Sequence, residues 1–226
     1  LDYNFLIGRR NFTATYSQGY DYLTDDSDGD GYFLTSGLSL GTSYDTGWNF
    51  PGMGELSYSP GVFTDVTYKI GDTISDERRA IEPGFRQSLS GSDVDWIGNF
   101  REGVRGTITN SNSVNLGDVD GQDIFDRTLT AELAGYLELD PFAFSGRGLM
   151  TASLDDAEHA DAGPIRGVLD DKLEGDIGAY LNSDITLKVW TIGNFVEGQG
   201  SVFFDGGAVV ERAKGFDAEK DIKLGG

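Results

Sequence analysis

Cysteine is absent from this 226-residue chain, and histidine occurs once, as His159. Without cysteine the chain cannot form disulfides, bind a metal through thiolates or use a cysteine nucleophile. A single histidine also excludes a histidine-rich zinc site and any mechanism that needs two imidazoles. These absences remove several common classes of metal site and active site.

Basic residues and long apolar runs are also scarce. Lys plus Arg is 17 against 38 Asp plus Glu, which gives a formal net charge of −21. Nucleic-acid binding needs an excess of Lys and Arg to neutralise phosphates, so we do not expect a nucleic-acid partner. No apolar run reaches the ~18 residues of a transmembrane helix, and no signal peptide is visible at Leu1.

Glycine and aromatic residues are abundant instead. The chain has 33 Gly, 10 Tyr and 14 Phe, and 38% of its residues are hydrophobic, which is too apolar for a disordered tail. This composition is typical of all-β chains with many turns. It fits a soluble β protein and an outer-membrane barrel equally well.

Period-two alternation recurs along most of the chain and predicts strands. The clearest case is residues 177–190, where one face is almost wholly apolar and the other is polar. The apolar face consists of Ile177, Ala179, Leu181, Ser183, Ile185, Leu187 and Val189. Residues 129–139, 142–153, 34–41 and 65–70 alternate in the same way. With further candidates at residues 5–16, 54–59, 103–112 and 201–210, we predict nine or ten strands.

The lengths of these segments favour a membrane barrel over a soluble β-sandwich. Fourteen alternating residues span roughly 45 Å, which is long for a sandwich strand. Asp140-Pro141 predicts a tight turn, and long connections are predicted at residues 21–31, 71–96, 115–124, 155–175 and 212–220. Short turns alternating with long loops are typical of outer-membrane barrels. We therefore predict an all-β fold, an antiparallel transmembrane β-barrel, with a β-sandwich as the alternative.

Three motifs in residues 163–210 resemble the BamA/TamA superfamily of outer-membrane proteins, the bacterial surface-antigen family. Ile165-Arg166-Gly167 is similar to the V/I-R-G-F/Y motif at the tip of the sixth extracellular loop. The segment from Gly175 to Asp184 resembles the following strand, usually G-x-x-x-x-x-x-N-x-E, and residues 202–207 (VFFDGG) resemble the next strand, F-x-D-x-G. Val168 departs from the pattern, because the family usually has an aromatic residue there.

The resemblance implies a single barrel domain over residues 1–226. Barrels of this family have sixteen strands, so we expect a partial barrel that lacks the last strands. No segment reads as a periplasmic POTRA module, in which helices alternate with strands. The expected location is the outer membrane of a Gram-negative cell.

The resemblance also implies a lock between a loop and the barrel lumen, formed by Ile165, Arg166, Gly167 and Asp205. In the family the loop folds inward and its arginine pairs with an acid on the inner wall. The alternation agrees independently, because Phe203 and Asp205 fall on the polar face of their strand. We expect a bidentate Arg166–Asp205 contact with a conformational role. The alternative is that Arg166 is a solvated loop residue and Asp205 a turn acid.

Two acidic segments are candidate calcium sites. Asp26, Asp28 and Asp30 with Gly31 match the first half of an EF-hand loop, but its twelfth position is Gly37 instead of Glu, and the flanks read as strands. We therefore expect a solvated acidic loop in this segment, with calcium binding as the alternative. Asp118, Asp120 and Asp123 form a weaker cluster. We expect no other cofactor.

The resemblance implies that the protein inserts or translocates other proteins at the outer membrane without ATP. The implied partners are outer-membrane lipid, client outer-membrane or secreted proteins, and accessory periplasmic or outer-membrane proteins. A passive porin-like channel, a membrane anchor and a secreted calcium-binding β-adhesin are the alternatives. We do not expect an enzyme, because no nucleophile, base and orienting group can be assembled.

Overall fold

The computed structural model is all-β in the part of the chain that it describes. It describes residues 1–7, 10–23, 31–70, 80–97, 100–116, 125–154, 160–161, 163–166, 168, 173–192, 196–212 and 222–225. None of these residues belongs to a helix that could span a membrane.

Fourteen strands are formed by the described residues. They are β1 (Asp2–Ile7), β2 (Arg10–Leu23), β3 (Gly31–Thr42), β4 (Tyr44–Phe50), β5 (Gly54–Ile70), β6 (Ala80–Ile97), β7 (Phe100–Val114), β8 (Phe125–Leu139), β9 (Phe142–Ser153), β10 (Ala160–Asp161), β11 (Glu174–Gly175), β12 (Ile177–Ile192), β13 (Val196–Val210) and β14 (Ile222–Gly225). The prediction of an all-β chain is confirmed.

Twelve of the strands belong to one antiparallel sheet. Its order is β1-β2-β3-β5-β6-β7-β8-β9-β12-β13-β14, with β4 paired to β5, while β10 and β11 form a small separate sheet. The sheet is open, since β1 and β14 do not pair within the described ranges. Successive strands are joined by connections that alternate between a few residues, as at β8–β9, and much longer segments, as between β9 and β12.

The sequence-based strand assignments were wrong in several places, and β4, β10 and β11 were not predicted. Residues 71–96 were predicted as a loop, yet β6 occupies most of that range. Its Ser and Gly residues hide the alternation, and hydrogen bonding to β5 and β7 stabilises an extended backbone whose side chains carry little pattern. Residues 5–16 form parts of two strands, β1 and β2, and the candidates at 54–59 and 65–70 lie in the single strand β5. The count of nine or ten strands was therefore too low.

The chain forms two compact units. Unit 1 comprises Leu1–Tyr44, Tyr58–Ser88 and Asn110–Arg127, and unit 2 comprises Asp45–Ser57, Leu89–Thr109 and Thr128–Gly226. In unit 1, large apolar side chains such as Leu38, Leu40 and Val62 are exposed. Their neighbours along the strands, among them Ser39 and Phe63, are half-buried. Exposure therefore alternates with period two.

In unit 2 exposure alternates in the same way over more strands: the large apolar side chains are exposed and their polar neighbours are less so. In β12, Leu181 is 56% exposed, whereas the adjacent Tyr180 is buried. The remaining large exposed apolar residues of β8, β9, β12 and β13 include Leu129, Leu133, Leu137, Phe142, Phe144, Met150, Ile185, Leu187, Val189, Val202 and Phe204. The polar face of these strands is the less exposed one, apart from some exposed residues of β13, among them Ser201 and Phe203. We call the two sides the apolar face and the polar face.

A small core covers part of the polar face of unit 2. Ile165, Leu173 and Ala160, from the connection between β9 and β12, pack with Tyr180 of β12 and Val209 of β13. Leu149 and Val168 pack against this cluster. The long connection is therefore folded back onto its own strands.

Candidate functional site

Strand register places a set of polar residues side by side on the polar face of unit 2. Asn182 of β12 pairs with Arg147 of β9 on one side and with Asp205 of β13 on the other. One step along the strands, Asp184 pairs with Ser145 and with Phe203. Directly opposite residues in antiparallel strands project to the same face. We call Asn182, Asp184, Phe203 and Asp205 the platform. They lie beneath Ile165 and Arg166 of the connection between β9 and β12, which we call the loop tip.

Arg166 binds the platform through Asp205. The guanidinium donates from Nε to Asp205 Oδ2 at 2.6 Å and from a terminal nitrogen to Oδ1 at 2.7 Å. The backbone N–H of Arg166 also donates to Oδ2 at 3.0 Å. Asp205 has no exposed surface. A fully buried carboxylate that accepts three hydrogen bonds fixes both the side chain and the backbone of the loop tip.

The rest of the guanidinium contacts β12 and an aromatic ring. It donates to Asp184 Oδ1 at 2.7 Å and to the carbonyl of Ser183 at 3.3 Å. Its carbon lies 4.2 Å from the centre of the Phe203 ring, within the range of a cation–π interaction. Hydrogen bonds to Asp205, and after them to Asp184, raise the pKa of Arg166 above its ordinary value. Arg166 is therefore held charged between two acids.

Close packing at glycines lets the loop tip approach the strands. A side chain at Gly207 would lie 2.6 Å from Tyr180 Cδ1 and 2.7 Å from Ile165 Cδ1. A side chain at Gly225 would collide with the carbonyl oxygen of Arg166. Ile165, only 1% exposed, fills the space that Gly207 leaves open. Phe203, Asp205 and Gly207 thus each contact the loop tip in a different way.

Two more polar contacts fasten the same connection. Asn182 Nδ2 donates to the carbonyl of Pro164 at 2.8 Å, immediately before Ile165. At the base of the loop, the buried Asp176 accepts a hydrogen bond from the backbone N–H of Arg212 at 2.9 Å. The connection is held both at its tip and next to the start of β12. Together these contacts favour one conformation of the loop.

A second cluster of charged side chains lies on the neighbouring strands β7, β8 and β9. Glu132 of β8 accepts from Arg105 of β7 at 3.2 Å and from Arg147 of β9 at 2.8 Å. Arg147 in turn pairs in register with Asn182 of the platform. Charged side chains therefore continue across the polar face from β7 to β13. Exposed or half-exposed pairs of this kind contribute modestly to stability, so we assign the fixing of the loop to Asp205.

The structure brings together three of the four residues of the expected lock: Ile165, Arg166 and Asp205. Gly167 lies outside the described residues, as do Asp26, Asp28 and Asp30, the second acidic cluster and His159. Within the described ranges, no group of three His, Asp or Glu side chains could hold a metal ion. Both the solvated loops and the calcium alternative at the acidic segments therefore stay predictions.

Sequence reasoning missed Asp184, Asn182, Phe203 and Gly207 as partners of the loop. The alternation already places Asn182 and Asp184 on one face of β12, and Phe203, Asp205 and Gly207 on one face of β13. What the sequence lacked was the register between the two strands. That register, Asn182 opposite Asp205, is what combines the two sets into one platform.

No model of a known protein family matches the chain, and no curated protein sequence matches it.

Proposed function

We propose that this chain forms a large part of an outer-membrane β-barrel of the BamA/TamA type, which inserts or translocates other proteins. The observation that carries the proposal is the inverted exposure in unit 2, where the large apolar residues of four strands are exposed and most polar residues of the opposite face are only half-exposed or buried. Single exposed apolar residues are ordinary, but contiguous apolar surfaces indicate contact with lipid or another protein. A face that continues over β8, β9, β12 and β13 suits lipid.

Strand lengths and connections support the membrane assignment. β8, β12 and β13 have 15, 16 and 15 residues, and a tilted transmembrane strand needs ~9–11. The excess would extend beyond the bilayer. The alternation of short and long connections is the layout expected of an outer-membrane barrel.

The contacts of Arg166 support a barrel of the BamA/TamA type and indicate how it could work. Arg166 lies on the polar face and uses its side chain and backbone together, so the connection between β9 and β12 is held as one piece. In a barrel the polar face would line the lumen, and this connection would occupy part of it. Its position would restrain the neighbouring strands during client insertion. No bond chemistry is required, which fits an activity that uses no ATP and no cofactor.

Site-directed spin labelling tests the membrane assignment. The chain has no cysteine, so single cysteines can be labelled without background. Leu137 and Tyr136 are adjacent in β8 and belong to opposite faces; Leu137 is exposed and Tyr136 is half-buried. In lipid vesicles, a label at Leu137→Cys should be more accessible to oxygen than to a water-soluble nickel complex, and a label at Tyr136→Cys the reverse. Equal access of the nickel complex to both labels would refute a lipid-facing strand.

An insertion assay tests the activity. Vesicles that contain the full chain are given an unfolded outer-membrane protein, and the appearance of its folded, heat-modifiable form is followed on a cold gel. Arg166→Ala should slow insertion several-fold, because the loop loses its contacts with both acids. Arg10→Ala, which removes an exposed arginine stacked on Tyr44, is the control and should insert as the unchanged chain does.

The same vesicles separate the proposal from a passive channel. If the unchanged chain conducts ions freely and does not accelerate insertion, the protein is a porin-like channel; if it does neither, it is a membrane anchor. If Arg166→Ala inserts clients at the original rate, the loop has no role in the activity.

A further inference from the structure

A cavity on the strands of unit 1 has the chemistry of an anion site. Its volume is about 330 Å³, at the small end of the ~300–1,000 Å³ of typical ligand pockets. Hydroxyl groups line it from four strands: Thr13 of β2, Ser39 of β3, Ser59 of β5 and Ser88 of β6. Among the described residues that line the cavity, the one charged side chain is Arg86.

Two glycines give the cavity its depth. Gly41 of β3 and Gly61 of β5 are paired in register and lie close together. A side chain at Gly61 would be only 3.2 Å from the carbonyl of Leu40 and 3.4 Å from the Cα of Gly41. Because neither glycine carries a side chain, backbone forms the floor of a gap on the face that also carries Ser39, Ser59 and Phe63. The surrounding hydroxyl groups can reach a small ligand in this gap.

Arg86 is positioned without being neutralised. Its guanidinium carbon lies 4.9 Å from the centre of the Phe63 ring, a cation–π distance. Arg86, Ser39 and Ser88 form no hydrogen bond or ion pair with another residue in the described ranges. A cation–π contact uses the positive charge and needs no hydrogen bond, so the N–H groups of Arg86 stay available to an acceptor.

We propose that this cavity binds a phosphate group, through the Arg86 guanidinium and the hydroxyls of Ser39 and Ser88. Arginine suits phosphate because its planar N–H groups make paired, charge-assisted hydrogen bonds. Serine hydroxyls donate to the remaining oxygens and rotate to suit the ligand. The chain's net charge of −21 is largely screened beyond about 8 Å at physiological salt. No Asp or Glu is among the described residues that line the cavity, so the charge of Arg86 favours an anion there. The inference does not depend on the proposed membrane function.

Titration of the full chain in detergent with sodium phosphate tests the site. Binding is followed by isothermal calorimetry and by phosphorus NMR line width, with sodium chloride at matched ionic strength as the reference. The unchanged chain and Arg10→Gln should bind phosphate with equal affinity, because Arg10 is stacked on Tyr44 outside the cavity. Arg86→Gln should bind about tenfold more weakly, as expected for the loss of one charge-assisted contact.

Further variants and a second titrant sharpen the result. Arg86→Lys keeps the charge but loses the planar fork, and it should bind with intermediate affinity if the protein remains folded by circular dichroism. Dihexanoyl phosphatidic acid, titrated below its micelle concentration, separates two sources of the phosphate. Tighter binding than inorganic phosphate supports a lipid headgroup, and equal binding supports a free phosphate. Absence of saturable binding in the unchanged chain, or unchanged affinity in Arg86→Gln, would overturn the proposal.

Discussion

Arg166 of unit 2 and Arg86 of unit 1 make the same stacking contact in two different surroundings. Each guanidinium lies over a phenylalanine ring, at 4.2 Å for Arg166 on Phe203 and 4.9 Å for Arg86 on Phe63. Arg166 also binds two carboxylates, whereas Arg86 has no acid partner in the described ranges. The ring orients the arginine in both places. The cross-strand neighbours decide whether the charge holds a loop or remains available to a ligand.

Of the changes that test this contrast, removal of the buried Asp205 should have the largest effect on stability. Asp205→Ala should lower the free energy of unfolding by about 2–3 kcal/mol, because Arg166 and the loop backbone both lose their acceptor. The loss falls short of the ~3–5 kcal/mol of a fully buried pair because Arg166 is partly exposed. Chemical denaturation in detergent, followed by tryptophan fluorescence, measures the change.

Asp184→Asn is the matched control for Asp205→Ala. Asp184 also binds Arg166 but is partly exposed, so its loss should cost about 0.5 kcal/mol. Equal effects of the two variants would show that burial of Asp205 contributes nothing special to the loop.

A substitution that crowds the loop tip and leaves all charged residues in place should have the next largest effect on stability. Gly207→Ala introduces a methyl group against Ile165 and Tyr180, and overpacking of this kind costs about 1–3 kcal/mol. Gly135→Ala, on β8, is the control, since its methyl group would have no atom within 4 Å. Limited proteolysis of the connection between β9 and β12 should increase for the first variant alone. Equal protection of both variants would argue against close packing at Gly207.

Giving Arg86 an acid should have the smallest effect on stability and the clearest effect on binding. Ser88→Asp places a carboxylate two residues along β6, on the same face as Arg86. The free energy of unfolding should change by less than about 0.5 kcal/mol, while phosphate affinity should fall about tenfold. Ser92→Asp adds the same charge outside the cavity lining. If both variants bind phosphate as the unchanged chain does, Arg86 does not provide the site.

The sequence predicted the strands best where apolar residues alternate with polar ones. β12 was expected over residues 177–190 and runs Ile177–Ile192. β6 was missed because a strand rich in Ser and Gly is stabilised by hydrogen bonds to its neighbours, which leave no pattern in the side chains. Hydrophobic periodicity detects strands with one apolar face, and it is blind to strands whose faces are similar.

The residues of the candidate site were likewise predicted only in part from the sequence. Alternation placed Asp205 on the polar face of β13, and a motif identified Arg166 as its partner. Asp184 and Asn182 were missed because they belong to a different strand, and their distance from Asp205 depends on a register that the sequence of either strand leaves open. The cavity at Arg86 was invisible for the same reason. Its hydroxyls come from four strands, separated by up to 75 positions between Thr13 and Ser88.

The sequence by itself determined that the chain is all-β and which side chains share a face of each strand, because side-chain direction alternates along any extended backbone. Tertiary structure decided which strands are neighbours and in what register they pair. Those choices depend on contacts between distant segments, and a shift of one residue would place every partner on the opposite face. They are what surrounded Arg166 with acids and left Arg86 among hydroxyl groups.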